Sequence, residues 1–221
     1  MIHARKVLDR LRDGNCRHVL GLQKRDAHLS HLRRADLAEI QEPVAIILGC
    51  SDSRVPPEIM FDQGLGDFFV VRVVGNVVGP TQLDSIEFAA LRCGTRLVVV
   101  LGHSYCEAVV ATLEELQQLT EVRKHHLNSI VSRIWPVVEG LLQTELQHDI
   151  DALLCRAVRS NIEASVHQLR HSSKVLAELA ESEGLLVVGA EYSLETGVVE
   201  FFGDVAAPVQ GHNLQQEMRR N

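Results

Sequence analysis

With 221 residues, 46% of them hydrophobic and 23% charged, the chain has enough apolar material for one α/β domain with appendages and too little length for two large ones. A net charge of −7 at pH 7, counting histidine as neutral, excludes nucleic acid or an anionic membrane surface as the main partner, because each needs a basic footprint. No run approaches the roughly 20 apolar residues that span a bilayer, and the N-terminus lacks the apolar stretch of a signal peptide, so the expected location is the cytoplasm.

Residues 2–33 read as two amphipathic helices broken at Asp13-Gly14-Asn15. Leu8, Leu11, Val19 and Leu22 form a stripe too thin for an independent domain, so this arm must pack on something else. Four continuous apolar runs follow, at 44–49, 68–73, 97–102 and 185–192. They do not alternate, which is the pattern of parallel strands buried on both faces. Helices are predicted between them: one over 81–93 with Thr81 as its cap, one over 104–119, and a long region over 128–182 broken at Pro136 and near 170–173. The segment 195–204 reads as a turn into a last strand antiparallel to 185–192. Alternating strands and helices predict a parallel sheet with helices on both faces.

Two of the strands end in Leu-Gly and then present metal ligands: Cys50 follows one, His103 and Cys106 follow the other. Ligands bind beyond the carboxyl ends of parallel strands, where the strand order reverses. Thiolate and imidazole suit zinc, and three protein ligands with one open position are the catalytic pattern. His103 and Cys106 stand three apart at a helix start, whose N-terminus favours the thiolate of Cys106. Asp52 and Arg54 follow Cys50 at alternating positions. The aspartate can pair with the arginine or bind the metal, a choice between an open and a closed site. The five cysteines are read as thiols or ligands, not as a disulfide framework. Cys93 and Cys155 are assigned to the core, and Cys16 to a partly exposed turn. The pair His125–His126 is read as surface, and Trp135 as packing.

At these residues the chain resembles the β-class carbonic anhydrases. The likeness runs through 8–19, 49–77, 85–106 and 185–202. It implies a single domain over 1–221, with a helical arm (1–35) packing on a partner subunit and an α/β core (36–221). The core would hold a four-stranded parallel sheet extended by an antiparallel strand. By the same resemblance Cys50, His103 and Cys106 bind one Zn2+ per subunit. Asp52 and Arg54 form the catalytic dyad, Asp52 ligates the metal in a closed form, and the unit is a homodimer or tetramer. The implied reaction is reversible hydration of CO2 to bicarbonate and a proton. Because two thiolates leave zinc-bound water less acidic than three imidazoles would, activity should improve at mildly alkaline pH. Rival readings are a same-scaffold hydrolase of carbonyl sulfide or carbon disulfide, and a weakly active scaffold with structural zinc.

Two positions depart from the family. Glu107 stands where a glycine is common after the last ligand, and with Tyr105 it is assigned to the pocket rim. Its charge either only favours the first turn of a helix or burdens the site. Ile47 stands where bicarbonate-inhibited members carry a tryptophan, so no noncatalytic bicarbonate site is expected and Asp52 should prefer Arg54.

Overall fold

The protein is represented by a computed structural model that describes residues 3–23, 38, 41–117 and 128–203. In chain order the elements are α1 (Ala4–Val19), β1 (Ala45–Gly49), the short α2 (Pro57–Met60), β2 (Phe68–Arg72), α3 (Pro80–Arg92) and β3 (Leu97–His103). They continue with α4 (Glu107–Gln117), α5 (Asn128–Val138), α6 (Ile150–Ser172), α7 (Lys174–Glu183), β4 (Leu186–Tyr192) and β5 (Val199–Phe202). The strands form one sheet in the order β2-β1-β3-β4-β5, the first four parallel and β5 antiparallel to β4. This is the α/β architecture expected from the apolar runs and the final turn.

Every residue of β1 and β3 is buried, so both faces of the sheet centre are covered, as an unbroken aliphatic run requires. Each such Val, Leu or Ile contributes about 1.5–3 kcal/mol on burial, which fixes the strand register firmly. The chain leaves β1 to one side to make β2, then crosses over to make β3 on the other. The strand order therefore reverses between β1 and β3, and a crevice opens at their carboxyl ends.

Several local expectations are revised. Helix α1 runs straight through Asp13-Gly14-Asn15. Gly14 is there for close approach: a Cβ on it would overlap the Phe61 carbonyl oxygen. Asn15 is buried and donates to the carbonyls of Met60 (3.2 Å) and Gly197 (2.9 Å), while its oxygen accepts from Val199 N (2.9 Å). What looked like turn chemistry is a docking contact. Of the arm's stripe, Leu8 and Leu11 are buried within the chain together with Ala4 and Val7, Val19 is half-buried and Leu22 is exposed. The arm's second predicted helix lies mostly outside the described residues, as do His125 and His126.

Thr81 does not cap α3; Gly79 does, with Pro80 in the first turn and the Gln82 side chain accepting from Gly79 N at 3.2 Å. Pro136 sits inside α5, which runs on to Val138 before the chain passes through 3-10 turns at Glu139–Gln143 and Glu145–His148. The second break falls at Ser173, whose hydroxyl caps α7 by accepting from Leu176 N at 2.9 Å. Cys155 is exposed and Cys93 half-exposed, so neither belongs to the core. The buried stripe of α6 runs through Leu153, Ala157 and Val158, which turns Cys155 outward, and Cys93 lies just past the last turn of α3. Cys16 is half-buried in helix, not turn. Trp135 packs half-buried on the core, as expected.

Candidate metal centre

Strand β1 delivers Cys50 and strand β3 delivers His103 to the crevice where the order reverses. Between His103 and Cys106 the chain must turn sharply, and Tyr105 takes a left-handed conformation (φ 55°) to do so, which costs a side-chain-bearing residue on the order of 1–2 kcal/mol. Cys106 then leads directly into α4. The Sγ atoms of Cys50 and Cys106 and a ring nitrogen of His103 all lie within 4.8 Å of one another. The three residues are 4%, 2% and 1% exposed.

The imidazole is oriented for ligation. Its Nδ1 lies 2.9 Å from the Ser104 carbonyl, an acceptor only, so Nδ1 carries the hydrogen and Nε2 presents a lone pair. That Nε2 is buried and has no hydrogen-bond partner. A buried nitrogen left bare costs roughly 1–3 kcal/mol, a cost that a metal ion would relieve. The sulfurs tell the same story. A hydrogen bond from Cys106, opposed by burial, pulls the Cys50 thiol down to about 4, while the neighbouring Cys50 sulfur pushes Cys106 up. The N–H groups of Ala108 and Val109 favour the Cys106 thiolate, as a helix start should. Cys50 nonetheless ionises first. Burial opposes charge on His103, and the Cys50 thiolate overrides it and raises the imidazole. Two cysteine sulfurs beside an imidazole form a donor set that fits a borderline-soft divalent ion such as zinc.

Asp52 stands at the edge of this cluster, its Oδ2 3.8 Å from His103 Nε2, and is committed to Arg54. Arg54 Nη2 donates to Oδ2 at 2.6 Å, Nε donates to Oδ1 at 3.0 Å, and the Arg54 backbone N–H donates to Oδ1 at 2.9 Å. The Arg54 hydrogen bonds hold the Asp52 carboxyl down to about 2. Arg54 is half exposed, and its own pKa is raised by Asp52 and, more weakly, by the charges of Glu107 and Cys106. Glu107 is exposed in the first turn of α4. Tyr105 is exposed as well, and its hydroxyl donates to Glu195 at 3.1 Å. Ile47 is fully buried in β1.

Sequence reasoning missed the residues that brace this arrangement. Arg72, the last residue of β2, donates through Nε to the Cys50 carbonyl at 2.9 Å and through Nη2 to that of Asp52. Gly75 N–H donates to Cys50 Sγ at 3.4 Å. Its φ of 73°, together with contacts of 3.0 Å that a Cβ would make with Ala108 and Ile134, excludes larger residues. Helix α6 fastens that loop through Asn161 to the Gly75 carbonyl (2.8 Å) and Ser165 to that of Asn76 (3.1 Å). A charged residue ending an apolar strand on the ligand edge was the available signal for Arg72. Nothing in the sequence marks Asn161.

A family model described as carbonic anhydrase matches residues 45–199. A carbonic anhydrase from Mycolicibacterium smegmatis is 38% identical over 206 residues, covering 88% of this chain and 93% of its own. Carbonic anhydrase 2 from Mycobacterium tuberculosis is 37% identical over 194 residues, covering 85% and 87%. Among solved structures, a β-carbonic anhydrase of Aspergillus fumigatus superposes with a TM-score of 0.69 at 26% identity, covering 81% of this chain and 85% of that one. One of two tetrameric β-carbonic anhydrases from Sordaria macrospora does so with a TM-score of 0.69 at 25% identity, covering 81% and 90%.

Proposed function

This chain belongs to the β-class carbonic anhydrase family and is an enzyme of that class, and from that premise we propose that it hydrates CO2 reversibly with one zinc ion held by Cys50, His103 and Cys106. The observation that carries the metal reading is the buried Nε2 of His103, left without a hydrogen-bond partner in a residue whose ligand atom lies within 4.8 Å of two cysteine sulfurs. When bound, zinc supplies Lewis acidity, so that water attacks carbon near neutral pH.

The chain's own residues do the positioning. Asp52, ionised throughout the working range, accepts a hydrogen bond from the attacking water and aims its lone pair at CO2. A carboxylate this weakly basic orients the water and does not store its proton. Arg54 holds both carboxylate oxygens of Asp52, the pairing that corresponds to the open form, and Arg72 anchors the 50–52 backbone through the carbonyls of Cys50 and Asp52. CO2 and water then yield bicarbonate and a proton, which leave to solvent.

The test is stopped-flow CO2 hydration by protein carrying one zinc per chain, from about pH 6.5 to 9. Turnover rising with pH is expected; zinc-loaded protein without turnover would overturn the reaction. Self-association as a dimer or tetramer belongs to the same proposal, supported by the tetrameric Sordaria macrospora relatives. Leu20 and Leu22, 45% and 65% exposed at the end of α1, are where the arm would meet a partner subunit. Light scattering on the purified protein tests it, and a strict monomer would refute it.

A further inference from the structure

We propose that His167 and His171, one turn apart on the outer face of α6, form a second metal site, which takes a divalent transition-metal ion of the zinc, nickel and copper group. Both side chains are exposed, and their rings lie 4.0 Å apart between centroids, inclined by 23°. Residues four apart on a helix face one another, and the two imidazoles, stacked on each other here, reach one ion when their exposed side chains turn out of the stack. Imidazole nitrogens suit these metals.

The tautomer is set for the purpose. His171 Nδ1 lies 2.8 Å from the His167 carbonyl. A carbonyl only accepts, so Nδ1 carries the hydrogen and Nε2 keeps its lone pair. The Ser104 carbonyl orients His103 in the same way. A cavity of about 190 Å³ adjoins the pair, lined also by Glu163, Val166, Gly189 and Phe202, and leaves room for water to complete the coordination. Glu163, one turn before His167, already serves Arg156 at 3.2 Å and Arg159 at 3.9 Å, so the site is assigned two protein ligands. Arg170 also borders the cavity, and its Nη2 donates to the Val187 carbonyl at 2.6 Å. Its charge moderates the affinity for a cation without blocking the pair.

The inner face of the same helix braces the loop under Cys50 through Asn161 and Ser165. An ion bridging adjacent turns on the outside therefore stiffens the segment that holds that loop. The inference does not depend on the reaction proposed above, because binding and melting are read without turnover.

The test titrates zinc-loaded protein with Ni2+ by calorimetry, with zinc content checked before and after. We expect a saturable class of Ni2+ sites that loses one equivalent in His167→Ala and in His171→Ala, or weakens in each on the order of tenfold or more. Asp151→Asn, in the first turn of the same helix and away from the pair, should leave that class intact. Ni2+ should raise the melting temperature of the wild type and not of His171→Ala. Ni2+ binding that is undiminished in both histidine variants would overturn the site, as would a wild type with no saturable class below millimolar Ni2+.

Discussion

The buried half of the site and its rim are held in opposite ways. Cys50, His103 and Cys106 are almost wholly enclosed, and their positions follow from the packing of β1, β3, α6 and the loop at Gly75. Asp52 and Arg54 lie at the opening, with side chains 12% and 50% exposed, where an ion pair is screened and worth little by itself. What fixes them is local geometry: a two-pronged guanidinium–carboxylate contact, a backbone N–H from Arg54, and Arg72 gripping the backbone below. The cluster owes its precision to the whole sheet, the rim to two residues of loop and one at the end of β2. Changes in the first should therefore remove the metal or the fold, and changes in the second only the rate.

The sharpest break in that contrast is Cys106→Ala. It removes one of the three proposed ligands, so zinc and activity should be lost together. The loss should exceed the roughly 10–100-fold that a mere supporting hydrogen bond costs a metal site. Metal analysis beside stopped-flow hydration checks it, and retained zinc would remove Cys106 from the ligand set. Asp52→Asn comes next. Zinc content should stay at the wild-type level while kcat/KM falls by about 10²-fold or more. Because the folded-state pKa of Asp52 is depressed to about 2, its stabilising contribution is complete above the unfolded value near 3.9 and is lost only as pH falls through about 2. Between about pH 6.5 and 9 the group does not titrate, so the variant's pH–rate curve should be lower but parallel to that of the wild type. A displaced curve would show that Asp52 takes part in the ionisation.

Gly102→Ala probes the packing behind the cluster. A Cβ there would lie 2.5 Å from Cδ1 and Cγ1 of Ile162 and 3.4 Å from the Asn76 side-chain oxygen, one residue before the proposed ligand His103. Overpacking of this kind costs about 1–3 kcal/mol, and each kcal/mol lowers Tm by roughly 2–4 °C in a chain of this size. Ile162→Val removes Cδ1, one of the two clashing carbons, so the double variant should be more stable than the sum of the two single losses. Strict additivity in thermal melts would remove Ile162 as the cause.

Most of the buried half was legible because its determinants are local in sequence. Unbroken aliphatic runs ending in Leu-Gly, each followed by a cysteine or histidine, read directly as buried strands opening on one edge. What was not legible depended on tertiary approach. Gly14 and Asn15 mimic a turn, and only the presence of the Phe61 and Met60 carbonyls makes them a helix docking contact. Asn161 looks like any polar residue in a helix until the loop at Gly75 is folded against it. Cys155 was placed in the core because apolar neighbours surround it in sequence, although helical phase turns it outward.

Glu107 tests whether the rim influences chemistry at all, and it carries the smallest expected effect. Its carboxylate is exposed, and near enough to Arg54 to raise that group's pKa, so the opening holds two carboxylates around one guanidinium. The proposed reaction would expel an anion through this opening. Glu107→Gly should therefore raise kcat modestly, by about severalfold at low ionic strength, and the gain should shrink as the screening length falls from about 30 Å at 0.01 M salt to about 8 Å at 0.15 M. Glu107→Gln separates charge from bulk: if charge is the cause, glutamine reproduces the gain without the roughly 0.5–1 kcal/mol penalty of a glycine in helix. Unchanged rates in both variants at every salt concentration would reduce Glu107 to a first-turn carboxylate, worth the roughly 0.3–1 kcal/mol that the α4 dipole provides. The rim would then act only through Asp52 and Arg54.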